Sequence, residues 1–323
     1  MPKIARVVSP RVRRPVAALA VAAVLGLAAC SGGDGGAGGS SASSSGDRAL
    51  TVGGATYTES LILQQLYGQL LTKAGYTVTY QPSRDRQGWT TALMSGQVDV
   101  VPEYAASFAE FLNRLKNGPE APAVSSPDAV ATVNALRPLA ESRGLDVLKV
   151  SAASDQNGFA MSRKAADAGK ITTLSQLAAK QSKIRLAADR GCADPARVFC
   201  KSGLEKTYRF QVTVDPLGYG STAAKEAVVA GKADLALTAT TDGTLDELGL
   251  VLLADDRRLQ SAENVVPVVN RDDAGTPQVA AALDPLAAAL TTEDLARLNL
   301  EVDGEQRKPA DVAKEYLTGA GLL

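Results

Sequence analysis

The 323-residue chain contains no histidine. That removes the commonest metal ligand and the commonest general base at neutral pH. Aromatic residues make up only 4% of it, including one tryptophan and eight tyrosines, so each ring that could line a site can be weighed singly. There is no G-x-S-x-G elbow and no phosphate-binding glycine loop, which removes the usual signatures of hydrolases and nucleotide enzymes. An excess of basic charge is missing too. The 34 Lys+Arg nearly balance 35 Asp+Glu, and five of the basic residues fall in the first 29 positions, which hold no acid. Without that segment, 29 basic residues face 35 acidic ones, a mildly acidic body unlike a nucleic-acid binder. What the chain has is hydrophobic content, 45%, and length enough for one large or two moderate domains.

The N-terminus indicates a destination. Arg6, Arg11, Arg13 and Arg14 form a basic stretch before the apolar run 15–29, which is too short to span a membrane comfortably. The run ends Leu27-Ala28-Ala29-Cys30. This resembles the bacterial lipobox, whose cysteine is lipidated and becomes the first residue; the alternative is an ordinary secretory signal cut near Ala29. Residues 31–47 are glycine, serine and little else and cannot bury enough apolar surface to fold. The expected organisation is therefore a signal peptide at 1–29, a tether at 30–47, and a folded body from residue 48, outside the cytoplasm and held at the cell membrane through Cys30.

Within the body one phrase occurs twice. Ala92–Tyr104 reads ALMSGQVDVVPEY, and Ala227–Ala239 reads AVVAGKADLALTA. Ala92 matches Ala227, Gly96 matches Gly231 and Asp99 matches Asp234. Each copy predicts a helix, a glycine cap, a tight turn and a buried strand. Parallel α/β sheets place ligands beyond the carboxyl ends of their strands, so two copies predict two α/β lobes facing a shared cleft. Around these copies the pattern predicts a strand at 49–53 and a helix at 60–74 with Thr58 as its cap. It also predicts a polar loop at 84–89 before a short helix at 90–95, and C-terminal helices over 278–290, 292–298 and 309–317. Chain crossings between the lobes are expected near 151–157 and 264–270, giving 48–154 plus 262–323 as one lobe and 155–261 as the other.

In order along the chain, several short runs resemble one family. They are Tyr57-Thr58-Glu59 after the first strand, Ser95 to Val100 with Pro102-Glu103-Tyr104, and Gly203 to Tyr208. Thr241-Asp242-Gly243, Leu253 to Asp256, Val266 to Val269, and the tail from Leu298-Asn299 to Tyr316-Leu317 complete the set. The resemblance covers about 50–317 and is to the substrate-binding proteins of ABC importers for osmoprotectants, the glycine betaine, choline and carnitine class. It implies a two-lobe α/β fold of the periplasmic-binding-protein kind (type II), with two hinge crossings that close on a small ligand. It also implies a permease with its ATPase as partners, and neither cofactor nor metal.

In that family a quaternary ammonium sits in a cage of aromatic rings, each contributing roughly 0.5–2 kcal/mol by cation–π attraction. Tyr104 matches one cage position; the others align with the small residues Ala153, Gly191 and Ala239. Tyr57 and Trp89 are candidates to rebuild the cage, with Tyr219 a more remote one, although Trp89 also reads as a core residue of a helix face. Arg86 stands in a loop that is glycine-rich and neutral in family members, and Arg190 holds the equivalent place in the second lobe; both would hold an anionic group bidentately, or else are solvated surface charges. Thr56 and Thr58 at the first strand–helix junction, Asn157 near the crossing, and Thr240 and Asp242 after the second repeat complete the expected ligand set. Asp242 also reads as a simple Asp-Gly turn. The expected ligand is a quaternary amine or another small polar or zwitterionic solute, and one larger than glycine betaine or choline that bears a carboxylate or a ring. Cys192 and Cys200, eight positions apart in an exported protein, are expected to form a disulfide; metal binding and redox chemistry are the rival readings. A sensor or scaffold without a transport role is the alternative function, and an enzyme a third.

Overall fold

A computed structural model describes residues 48–323; the expected signal peptide, Cys30 and the expected tether lie outside the described residues. The chain begins with β1 (Ala49–Gly54), α1 (Thr58–Lys73), β2 (Thr77–Pro82), α2 (Arg86–Met94), β3 (Val100–Tyr104), α3 (Ala105–Asn117), α4 (Ala129–Glu141) and β4 (Leu145–Val147). It continues with β5 (Asn157–Ser162), α5 (Arg163–Gly169), α6 (Leu174–Lys180), β6 (Lys183–Ala188), a 3-10 turn (Arg190–Ala193), α7 (Lys201–Tyr208), β7 (Gln211–Pro216), α8 (Thr222–Val229), β8 (Leu235–Ala239) and β9 (Leu250–Leu253). It ends with β10 (Val265–Asn270), α9 (Arg271–Ala274), α10 (Pro277–Ala289), α11 (Thr292–Asp303) and α12 (Pro309–Gly319).

Two five-stranded sheets result, ordered β2-β1-β3-β10-β4 and β7-β6-β8-β5-β9. In each, three strands run parallel, and the fourth and fifth complete a mixed sheet. β10 is antiparallel to β3 and β4, as β5 is to β8 and β9. Side chains alternate between faces, as pleating requires. Val265 and Val269 face α1, α10, α11 and α12, whereas Val266 and Val268 face α2, α3 and α4. In the second sheet Phe159, Leu186, Leu235 and Leu237 fill one face, and Ala160, Ala187 and Ala236 line the other, where alanines of α8 pack closely.

The repeated phrase has one mechanism in both copies. α2 and α8 each end two residues before a glycine with positive φ, Gly96 at 72° and Gly231 at 68°, where a side chain would be strained. The next two amides return to one carbonyl, Gln97 and Val98 to that of Ala92, and Lys232 and Ala233 to that of Ala227. The aspartate then locks the turn to the neighbouring strand. Asp99 accepts from the Thr51 amide at 2.6 Å, and Asp234 from the Arg185 amide at 2.7 Å. Each copy delivers the central strand of its sheet, so both central strands end toward the same region.

The segments joining the two sheets lie side by side. Ser151 N donates to Val265 O, Val265 N to Ala153 O and Asp155 N to Glu263 O, and Ser154 bridges Asn264 in antiparallel fashion. Cys192 and Cys200 are joined, with Cα atoms 5.3 Å apart, and both are fully buried beside Leu204 and Tyr208. Among the described residues no helix is long and apolar enough to cross a membrane.

Two local expectations fail. Thr58 does not cap α1: the cap position is Tyr57, with no side-chain hydrogen bond, and the Thr58 hydroxyl donates to Asp303 instead. Residues 84–89 are not a loop before the helix. Asp85 caps α2 by accepting from Gly88 N at 2.8 Å, so the helix starts at Arg86. Four extra residues turn Trp89 inward, where it is 8% exposed among Val98, Val101 and Phe108.

Candidate functional site

A cavity of about 470 Å³ opens between the two sheets, lined from both. The β1–α1 junction contributes Tyr57, Thr58 and Glu59, and the crossing contributes Asp155. The turn before α8 contributes Tyr219, the end of β8 and its loop Ala239 and Thr241 to Thr244, and α11 Asn299 and Asp303. These are carboxyl ends of strands, where α/β folds collect ligands. The loop after β8 lies so close to α11 that a Cβ at Gly243 would stand 2.1 Å from the Ala296 carbonyl. Only glycine lets the two elements meet there.

Glu59 is the most enclosed acid of the cavity, 5% exposed. Its Oε1 accepts from the Tyr104 hydroxyl at 2.5 Å and its Oε2 from Asn299 Nδ2 at 2.7 Å. Asn299 Nδ2 also donates to the Thr241 carbonyl at 3.1 Å, tying the α11 side to the β8 side. The other amide atom, Asn299 Oδ1, is buried without a partner. Asp155 accepts from the Thr241 hydroxyl at 3.1 Å. Burial, and then the nearby Glu59 charge, push its pKa up to about 8 against that hydrogen bond, and the Glu263 charge adds to the rise.

Three phenols surround these acids. Tyr57 is hydrogen-bonded to Tyr104, and burial followed by neighbouring carboxylates raises both above the usual phenol range. Tyr219 is raised by burial and by the Asp155 charge. Tyr104 is enclosed, but Tyr57 and Tyr219 remain 50% and 43% exposed, leaving ring surface open to the cleft. Among the described residues Lys225 is the one cationic side chain of the lining. Its Nζ lies 2.6 Å from Asp242 and 2.7 Å from the Thr244 hydroxyl. Burial works against the Asp242 charge, yet hydrogen bonds from Lys225, Thr238 and Thr244 hold its pKa below the usual carboxylate range.

The residues singled out from the sequence divide into two groups. Tyr57, Thr58 and Asp242 line the cavity, and Tyr104 reaches it through Glu59. Thr56 is exposed outside the lining. Arg86 donates to Glu103 at 3.0 Å and to the Ser107 hydroxyl, and Trp89 Nε1 donates to Glu103 at 2.7 Å on the far face of the sheet. Asn157 binds Gln260, and the Thr240 hydroxyl accepts from Gln156 N and donates to Ser154 O, so both brace the crossing. Arg190 is exposed on the 3-10 turn. Sequence reasoning overlooked Asp155 and Lys225 and treated Glu59, Asn299 and Asp303 only as parts of resembling runs. Glu59 carried a further signal, as an acid directly after a strand–helix junction; Asn299 and Asp303, 240 and more positions away, carried none for this cavity.

A sequence profile described as the substrate-binding domain of the ABC-type glycine betaine transport system matches residues 48–319. A glycine-betaine-binding protein of Pseudomonas aeruginosa is 30% identical over 292 residues, covering 85% of this chain and 88% of the relative. The glycine betaine-binding protein YehZ of Escherichia coli is 27% identical over 284 residues, covering 84% and 90%. The ligand-free YehZ structure superposes with a TM-score of 0.72 at 24% identity, over 85% of this chain and 99% of that one. A glycine betaine/carnitine/choline ABC transporter structure gives 0.73 at 21%, over 84% and 99%. These two establish the two-lobe binding-protein fold. The profile and the P. aeruginosa relative carry the assignment further: the chain belongs to the family of substrate-binding proteins of ABC-type glycine betaine transport systems.

Proposed function

We propose that this protein captures a small solute bearing a positively charged nitrogen in the cavity between its sheets and delivers it to an ABC permease and its ATPase. The observation that carries this reading is the pairing of two exposed ring surfaces, Tyr57 and Tyr219, with the enclosed acids Glu59 and Asp155. Each ring face adds roughly 0.5–2 kcal/mol toward a desolvated cation, and the acids supply the compensating charge. Tyr57, Thr58, Tyr104 and Asp242 keep their place in the ligand set; Arg86 and Trp89 leave it, being occupied with Glu103.

In this reading residues 48–154 plus 262–323 move as one body and 155–261 as the other, and closure follows capture. Cys30 carries the lipid that keeps the protein at the outer face of the membrane, and the Cys192–Cys200 bond belongs to the exported form. The role is delivery without turnover. Titration calorimetry with choline, carnitine and glycine betaine tests the reading: micromolar binding of at least one, with the compound recovered unchanged by NMR, is expected. No binding across the panel overturns it. Binding without loss of solute uptake in cells lacking the protein would favour a sensor instead.

A further inference from the structure

The charges of the cavity separate one class of solute from another. Four carboxylates line it, Glu59, Asp155, Asp242 and Asp303, against the single ammonium of Lys225. That ammonium is engaged by Asp242 and Thr244. Asp303 accepts the Thr58 hydroxyl at 2.6 Å. Glu59 and Asp155 are held by hydroxyls and an amide, and among the described residues no cation contacts either. Enclosed carboxylates without a counter-charge are costly to maintain, and a cation placed between them removes that cost.

A zwitterion brings its own carboxylate. Among the described residues no cationic side chain of the lining is free to receive it, because Lys225 is engaged and the two arginines that the sequence offered for this purpose lie elsewhere. Arg86 is bound to Glu103, and Arg190 stands outside the cavity. The amides at the uncapped start of α1 would favour an anion, but Glu59 occupies that same first turn. The orphaned Asn299 Oδ1 is an acceptor and asks for a donor such as a hydroxyl. Resting on the function proposed above, we infer that the cavity selects net-cationic quaternary ammonium alcohols of the choline kind over carboxylate-bearing betaines, with Glu59 and Asp155 as the residues that set this preference.

The test is a pair of titrations on the whole protein at pH 7.5, one with choline and one with glycine betaine. Choline is expected to bind at least tenfold tighter. Glu59→Gln and Asp155→Asn are each expected to weaken choline by tenfold or more while affecting glycine betaine less, so that the ratio narrows. Circular dichroism melts identify any variant that has lost its fold, and the wild-type ratio stands without the variants. Equal or tighter binding of glycine betaine overturns the inference and leaves the proposed function intact. Binding of neither compound, nor of carnitine, overturns both.

Discussion

Glu103 and Tyr104 are adjacent on β3, and the pleat sends them to opposite faces. On one face Glu103 is 1% exposed and fully provided for: Arg86 neutralises it, Trp89 and its neighbour's amide donate to it, and the Arg86 guanidinium lies 5.9 Å from the Trp89 ring. On the other face Tyr104 leads to Glu59 and onward to Asp155, a second acidic cluster wrapped in aromatic rings. The components are alike, an enclosed acid with aromatic neighbours, but only the first cluster contains its cation. The first is complete and holds the fold together. On the function proposed above, the second is completed by something positively charged arriving from outside. A ring near an acid is therefore not by itself a sign of a binding site; the missing counter-charge is.

The largest effect expected on the complete side is structural. Trp89→Ala opens a cavity among Val98, Val101 and Phe108 and removes a donor from Glu103. A loss of about 3–5 kcal/mol of stability follows for a buried aromatic, read as a lower urea midpoint. Any protein that remains folded should bind its solute with unchanged affinity. A selective loss of binding with stability intact would instead place Trp89 at the ligand and abolish the contrast.

On the incomplete side the response is to pH. Asp155 is faced by Glu59 from α1, by Glu263 before β10, and by Tyr57, Tyr104 and Tyr219; the phenols stay neutral throughout the accessible range. With its pKa near 8 in the empty protein, Asp155 must release a proton to meet a cation. Choline affinity is expected to rise by up to about tenfold per pH unit from 6 to 8 and to level off above. Calorimetry in buffers of different ionisation enthalpy reads the released proton directly. A flat profile would mean that Asp155 is already charged in the empty cavity. Smaller effects belong to the rings. Tyr57→Ala and Tyr219→Ala each remove one exposed face and should weaken choline by about five- to tenfold, with little change in stability because both are partly exposed.

Much of this was legible in the sequence. The doubled phrase around Gly96 and Gly231 announced two matching α/β units because a glycine turn and a strand-locking aspartate are local devices. The family was legible from ordered short runs. The lining of the cavity was legible only in part, for two physical reasons. Asp85 reads as a loop residue, yet its side chain starts a helix, and that cap carries Arg86 and Trp89 to the core face. The counter-charge of an acid is a three-dimensional property: Glu103 finds Arg86 seventeen positions upstream, whereas Asn299 reaches Glu59 across 240. The sequence therefore suggested arginines for a carboxylate, where the folded chain offers carboxylates for a cation.

The smallest effect expected runs opposite to function. In the unfolded chain Asp155 has the ordinary carboxylate pKa, and in the folded, empty protein it is raised by burial and by Glu59. Between those values the native state holds a proton that the unfolded state has given up, so stability falls as pH rises through this range and is lowest above about 8. Asp155→Asn keeps the shape, retains an acceptor for the Thr241 hydroxyl and removes the buried charge. At pH 9 the empty variant should melt higher than the wild type, by about 2–4 °C for each kcal/mol recovered, while the gap should narrow as pH falls and close only below about 4, where Asp155 is protonated in the unfolded chain as well. Saturating choline should reverse the order at pH 9, because it stabilises the protein that binds it. Wild type and variant melting together at pH 9 would show that the Asp155 charge is already compensated in the empty protein. The contrast with Glu103 would then rest on the rings alone.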